Sequence, residues 1–170
     1  MPLKQPKSIP KLPKTRKKTI DALKKSTPLK KKGEVEYVIN FYFKYDKVQG
    51  KQFYVVRINT VKEFSNLNYG IAVDVRKKKE IIDISLLGLN MRQSYLVNPQ
   101  PAFTDLMFED LYGQFQVNLI KQDGSINTAD VDFNVFKKEI KIVKDFVPAK
   151  KNNGRFCTFM VDENSFTFEK

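Results

Sequence analysis

Lysine is the residue type with the clearest chemical role in this sequence, and it is concentrated near the start of the chain. Residues 1–33 hold twelve lysine or arginine residues and one acid, a net charge of +11, so residues 34–170 carry only +1 of the total +12. Lysines at irregular spacing bind charge density rather than a base sequence, which predicts a polyanion as the ligand. The residues assigned to this contact are Lys11, Lys14, Arg16, Lys17, Lys18, Lys24, Lys25, Lys30, Lys31 and Lys32.

The composition of this segment leaves three kinds of polyanion open: nucleic acid backbone, an acidic protein surface and anionic lipid. Residues 1–33 contain no Phe or Tyr, which argues against stacking of single-stranded bases on the segment itself. Residues 16–18 and 30–32 also match the loose spacing of a bipartite nuclear-localisation signal. The remaining alternative is a solvated tail that only increases solubility.

The same segment is predicted to be an extended arm in front of the folded part of the chain. Its first thirteen residues include four prolines, too closely spaced for a long helix between them. Only residues 17–25 favour a short helix, with Thr19 as N-cap and Ile20 and Leu23 on one face. We therefore expect an extended basic arm over residues 1–33 and a single domain over residues 34–170.

Two secondary basic clusters lie beside predicted turns of residues 34–170. Their charges are interpreted either as ordinary solvated turn residues or as an extension of the anionic contact made by the arm. The second interpretation requires the clusters to lie at the same end of the sheet. Their members are Arg76, Lys77, Lys78, Lys79, Lys150, Lys151 and Arg155.

Catalytic and metal chemistry find little support in the sequence. No histidine is present, which removes the commonest general base, the Ser-His and Cys-His nucleophile systems and most zinc sites. No glycine-rich phosphate loop occurs, and no acidic cluster has calcium-loop spacing. We expect no catalytic residue, no metal site and no cofactor, and interpret the clustered acids as surface residues: Asp105, Glu109, Asp110, Asp123, Asp130 and Asp132.

Residues 34–170 have the two-residue periodicity of β-strands. Apolar side chains at every second position between residues 35 and 45 predict a long, half-buried strand. Most of the glycines fall between such runs, where turns are expected. Further strands are predicted at about 52–60, 70–76, 80–87, 94–97, 114–121, 129–136, 139–147, 155–161 and 165–169.

One segment departs from this pattern. Residues 101–113 place Phe103, Leu106, Met107 and Leu111 at helical spacing, with Gly113 where a helix would stop, which favours a short helix there, with a buried strand as the competitor. The fold class predicted is therefore all-β in the main: an antiparallel β-sandwich or strongly curved sheet with at most one short helix, after the basic arm. The lone Cys157 is expected to be a core strand residue, which favours a reducing compartment.

These observations favour a non-enzymatic accessory or structural subunit of a large assembly. Its neutral β domain is expected to pack on protein subunits, and its arm to anchor to a polyanion, with RNA or DNA favoured. The alternative is a peripheral subunit on the cytoplasmic side of a membrane complex that docks an acidic carrier protein or anionic lipid. No apolar run is long enough to span a membrane, which predicts a soluble or peripheral protein, and the lone Cys157 favours an intracellular, reducing location, cytoplasmic or in an organellar stroma or matrix.

Overall fold

A computed structural model describes residues 19–30, 33–95 and 98–170 of the chain. Those residues form one short α-helix, nine strands and one turn of 3-10 helix, Glu163–Ser165. The helix is α1 (Ile20–Lys25), and the strands are β1 (Tyr37–Asp46), β2 (Lys51–Phe64), β3 (Leu67–Lys78), β4 (Ile81–Tyr95), β5 (Gln100–Phe108), β6 (Gly113–Ile120), β7 (Ile126–Asn134), β8 (Glu139–Phe146) and β9 (Cys157–Val161).

The described strands form a single curved sheet in the order β8-β7-β6-β4-β3-β5-β2-β1-β9. Its two outer strands, β8 and β9, contact each other, so the sheet is nearly closed and barrel-like. The prediction of a mainly β chain with a strongly curved sheet is confirmed. A purely antiparallel arrangement is wrong, because β1–β9, β3–β5 and β4–β6 are parallel pairs.

The core lies on the inner face of this curved sheet. Alternate residues of β1, Ile39, Phe41 and Phe43, are fully buried, as their two-residue spacing predicts. The ring of Phe41 meets that of Phe133 on β7 at 5.9 Å in an edge-to-face arrangement, which joins opposite sides of the sheet. Cys157 is also buried in this core, so the prediction of a core strand residue is confirmed.

The helix predicted within residues 101–113 is wrong, because Gln100–Phe108 is strand β5. Strand pairing decides the outcome: Leu106 lies opposite Val56 of β2 and packs on the core, while neighbouring Met107 is exposed. In the loop that follows, Leu111 is fully buried in the core. Phe103 and Leu106, three residues apart, lie on opposite faces of β5, because side chains alternate between the faces of a strand.

Two predicted short strands are not separate strands. Residues 94 and 95 end β4, and residues 96–97 lie outside the described part of the chain. Residues 165–169 contain no regular strand, but this segment still runs beside β1, where the Thr167 amide donates to the Phe43 carbonyl over 2.9 Å. Tyr45 in turn donates its backbone N–H to the Thr167 hydroxyl over 2.8 Å.

A buried asparagine side chain bridges the gap between the two outer parts of the sheet. Asn127 on β7 is fully buried, and its Oδ1 accepts the backbone N–H groups of Phe156 at 2.8 Å and Cys157 at 3.0 Å. Its Nδ2 donates to the Gly154 carbonyl over 2.9 Å. The amide therefore replaces the backbone hydrogen bonds that a neighbouring strand would supply, because buried backbone N–H groups need a partner.

Candidate polyanion-binding site

Four polar side chains form a row across the outer face of the sheet. Arg76, Asp83, Asn118 and Thr128 are successive register partners on β3, β4, β6 and β7. Arg76 Nη2 lies 2.8 Å from Asp83 Oδ2, Asn118 Nδ2 donates to Asp83 Oδ1 over 2.8 Å, and Thr128 Oγ1 donates to Asn118 Oδ1 over 2.7 Å. Asp83 is only 2% exposed, and it pairs with Arg76 within the row and with a second charged partner from outside the sheet.

Helix α1 supplies that partner. Lys24 Nζ lies 2.7 Å from Asp83 Oδ1, and Asp21 Oδ1 lies 2.9 Å from Arg76 Nη2, so two charges of α1 are matched to two of the sheet. Burial alone raises the pKa of Asp83, but hydrogen bonds from Lys24, Asn118 and Arg76 outweigh it and lower that pKa below its ordinary value. Hydrogen bonds to Asp21 and Asp83 raise the pKa of the Arg76 guanidinium.

The helix predicted within residues 17–25 is present with its predicted cap. The Ala22 N–H donates to Thr19 Oγ1 over 3.3 Å, and Ile20 and Leu23 are buried against Ile120 and Ile126. A six-residue helix is too short to be stable alone, so these contacts hold it in place. Part of the segment predicted as an arm therefore belongs to the folded body.

The C-terminal side of α1 is fixed by the turn regions that follow β6 and β8. Lys150 Nζ donates to the carbonyl of Lys24 over 2.9 Å and to that of Gly124 over 2.7 Å. Burial lowers the pKa of Lys150. Gly124 has φ +92°, and a Cβ there would lie 2.7 Å from Ser26 Cβ, so the close approach requires glycine.

These contacts fix the direction of α1 along the sheet. Its start lies beside Arg76, near the turn at 79–80, and its end lies beside Gly124. The turns at 47–50, 79–80 and 135–138 and the loop at 109–112 share one end of the sheet, which we call the lysine end.

The two predicted secondary clusters do not come together, because residues 76–79 lie at the lysine end and residues 150–155 lie at the opposite end. Lys78 and Lys79 are exposed, and Lys77 Nζ donates to the Asp110 carbonyl over 2.7 Å. Arg76 and Lys150 hold α1, as described above. Arg155 pairs with Asp145 at 2.8 Å, and Lys151 is exposed.

Of the predicted arm contacts, three lie in the described part of the chain. Lys25 and Lys30 are exposed, whereas Lys24 is paired with buried Asp83. Sequence reasoning missed the pairing of Lys24, because its partner is distant in the chain and has no local signal. The others lie outside the described residues: Lys11, Lys14, Arg16, Lys17, Lys18, Lys31 and Lys32.

The clustered acids form no metal site within the described residues. Asp105 accepts a bidentate pair from Arg57 at 2.6 and 2.7 Å, and Glu109 pairs with Lys51 at 3.1 Å. Asp110 is exposed, and Asp130 and Asp132 are partly exposed on β7. Among the described elements, no helix is long and apolar enough to cross a membrane.

Two exposed apolar regions were not predicted from the sequence. At the lysine end, Tyr112 is 58% exposed and Phe136 is 84% exposed, and their rings meet at 5.7 Å. At the opposite end, a groove of about 550 Å³ is lined by residues that include Tyr37, Val61 and Leu89. The alternation of apolar and polar residues predicted the strands. It did not show which strand ends and turns extend beyond the core and expose their apolar side chains. The other exposed apolar residues near this groove are Leu87, Met91 and Tyr95.

Comparison with known proteins adds no functional assignment. The chain matches no protein-family model, and neither curated proteins nor solved structures give a significant match.

Proposed function

We propose that this chain is a non-enzymatic accessory subunit of a large macromolecular assembly. Its β body packs on protein, and its basic N-terminal segment anchors to a polyanionic surface, with nucleic acid backbone as the favoured ligand. The observation that supports the proposal is the charge distribution: residues 1–33 carry a net charge of +11, and Lys78 and Lys79 are exposed at the lysine end of the body. Charges of the arm and of the body can then both contribute to anionic contact.

The opposite end of the body supports the protein contact. Leu89 and Met91 are 44% and 64% exposed beside the groove that contains Val61. Grouped exposed apolar side chains are a usual feature of protein contact surfaces. An adapter with these two unlike ends joins protein to polyanion. The buried thiol of Cys157 agrees with a reducing intracellular compartment as its location.

Salt dependence of binding tests the anchoring step. Full-length protein and a chain starting at residue 19 are titrated with duplex DNA, with anionic vesicles and with an acidic protein, each at several salt concentrations. For duplex DNA, engagement of about half of the arm's charges gives a log–log salt slope of roughly −5. Removal of residues 1–18 should abolish most of that slope, because it removes seven of the basic residues.

A body contribution is tested by replacing Lys78 and Lys79 together with glutamine. The slope should fall by up to about two units. Lys62 and Lys144, which are exposed toward the opposite end, serve as the matched double control and should leave the slope unchanged. An unchanged slope after loss of residues 1–18 would overturn the proposal. Selective, salt-sensitive binding to vesicles or acidic protein instead of DNA would favour the peripheral membrane-complex alternative.

A further inference from the structure

The exposed aromatic pair at the lysine end has a geometry suited to a flat ligand. Tyr112 comes from the loop between β5 and β6, and Phe136 comes from the turn between β7 and β8. Their ring centroids are 5.7 Å apart and the rings are inclined by 70°. Two rings at this angle form a corner, in which a planar group that stacks on one ring presents its edge to the other.

The exposure of these rings is not explained by the fold. Phe136 is 84% exposed and Tyr112 is 58% exposed, whereas their chain neighbours Val135 and Leu111 pack into the core. Each ring therefore follows a side chain that packs against the core, fully buried for Leu111 and partly buried for Val135. The anchoring keeps the corner in position, which reduces the ordering entropy lost when a ligand stacks on it.

Positive charge lies on both sides of the corner. Lys137 follows Phe136 directly and is exposed, and Lys77 Nζ is held on the carbonyl of Asp110, two residues before Tyr112. Lys138 lies in the same turn as Phe136, and its Nζ is 4.9 Å from the ring centre of Phe168. Aromatic faces flanked by lysines are the arrangement by which proteins bind single-stranded nucleic acid, the bases stacking on rings and the phosphates meeting cations.

We propose that Tyr112 and Phe136 stack an unpaired base of a single-stranded nucleic acid. The inference rests on the proposed function and makes it more specific, because it gives single-stranded nucleic acid as the polyanion. The arm supplies charge without aromatic residues, and the body supplies the stacking. A protein that used charge alone would favour the duplex, whose phosphate charge density is higher than that of a single strand.

The test compares three probes on the full-length protein: a single strand of about 15 nucleotides, the matching duplex, and a heparin fragment that has charge but no bases. Phe136→Leu and Tyr112→Leu keep an apolar side chain but remove the ring. Each should weaken single-strand binding roughly 5- to 150-fold and leave duplex and heparin binding unchanged. The salt slope should not change, because no charge is removed.

Tyr95→Leu is the matched control, because Tyr95 is 86% exposed at the opposite end of the sheet, and it should affect none of the probes. Unchanged single-strand binding in both ring variants would overturn the inference, as would an equal loss for all three probes. Failure of the proposed arm contact can be distinguished from failure of this inference. It would appear as a salt slope that does not change when residues 1–18 are removed, independently of the results with the Tyr112 and Phe136 variants.

Discussion

Lys24 Nζ lies 2.7 Å from Asp83 Oδ1, and this contact joins a short N-terminal helix to the middle of a nearly closed sheet. The carboxylate is almost completely buried, while the lysine side chain is 29% exposed. Lys24 belongs to the segment that was predicted to bind a polyanion, but its charge is paired within the fold.

Replacing Asp83 with asparagine should destabilise the protein by roughly 2–3 kcal/mol. The change removes the charge that Lys24 and Arg76 neutralise, and breaking a buried pair typically costs about 3–5 kcal/mol. The smaller value is expected here because both cations reach water, with side chains 29% and 37% exposed. Urea unfolding measures the effect. Asp74→Asn, at an exposed position of β3, is the control. Its free energy of unfolding should stay within about 0.5 kcal/mol of that of the parent chain.

Stability should also fall in mild acid because of Asp83. Its pKa is lowered in the folded state, so its contribution is complete above the unfolded value of about 3.9 and is lost as pH falls through the folded value. Unfolding free energies measured between about pH 6 and pH 3 should therefore decline less in Asp83→Asn than in the parent chain. An equal decline in both proteins would show that other carboxylates determine the acid sensitivity.

Replacing Asn127 with alanine should open the seam between β7 and β9. The backbone N–H groups of Phe156 and Cys157 would lose their acceptor, at about 1–3 kcal/mol for each buried unsatisfied donor. Hydrogen exchange should speed up most at the amides of residues 156 and 157. Asn90→Ala, at an exposed position of β4, should alter neither exchange nor stability. Uniform acceleration over the whole sheet would instead indicate global destabilisation.

Replacing Lys150 with methionine should loosen α1 while the sheet stays folded. The methionine keeps a long apolar stem but cannot donate to the carbonyls of Lys24 and Gly124. Trypsin should then cleave after Lys25 faster than in the parent chain, with little change in far-ultraviolet circular dichroism. Lys151→Met changes the exposed neighbouring lysine, and trypsin should cleave this variant after Lys25 at the same rate as the parent chain. Equal cleavage in both variants would mean that Lys150 does not hold the helix.

Local patterns in the sequence predicted the elements that depend on neighbouring residues. The alternation of Ile39, Phe41 and Phe43 gave β1, and Thr19 gave the start of α1, because side-chain period and capping are local properties. The spacing of Phe103, Leu106 and Leu111 misled, because Phe103 and Leu106 lie on opposite faces of β5 and Leu111 reaches the core from the loop that follows.

Relations between distant residues had no signal in the sequence. The three parallel pairings depend on crossover connections whose path is set by core packing. The partner of Lys24 and the role of Asn127 depend on contacts between segments far apart in the chain. Tyr112 and Phe136 are of the same residue types as the aromatic residues of the core, so the sequence did not distinguish them. Their exposure depends on where the strands end.

The position of α1 has a consequence for synthesis of the chain. The docking surface of α1 includes Ile126 and Lys150, which follow the helix by about a hundred residues or more and are therefore synthesised much later. A helix this short is unstable until that surface exists. Strand β1 must likewise wait for β9, its neighbour near the C-terminus. Helix α1 therefore docks only after most of the sheet has been synthesised.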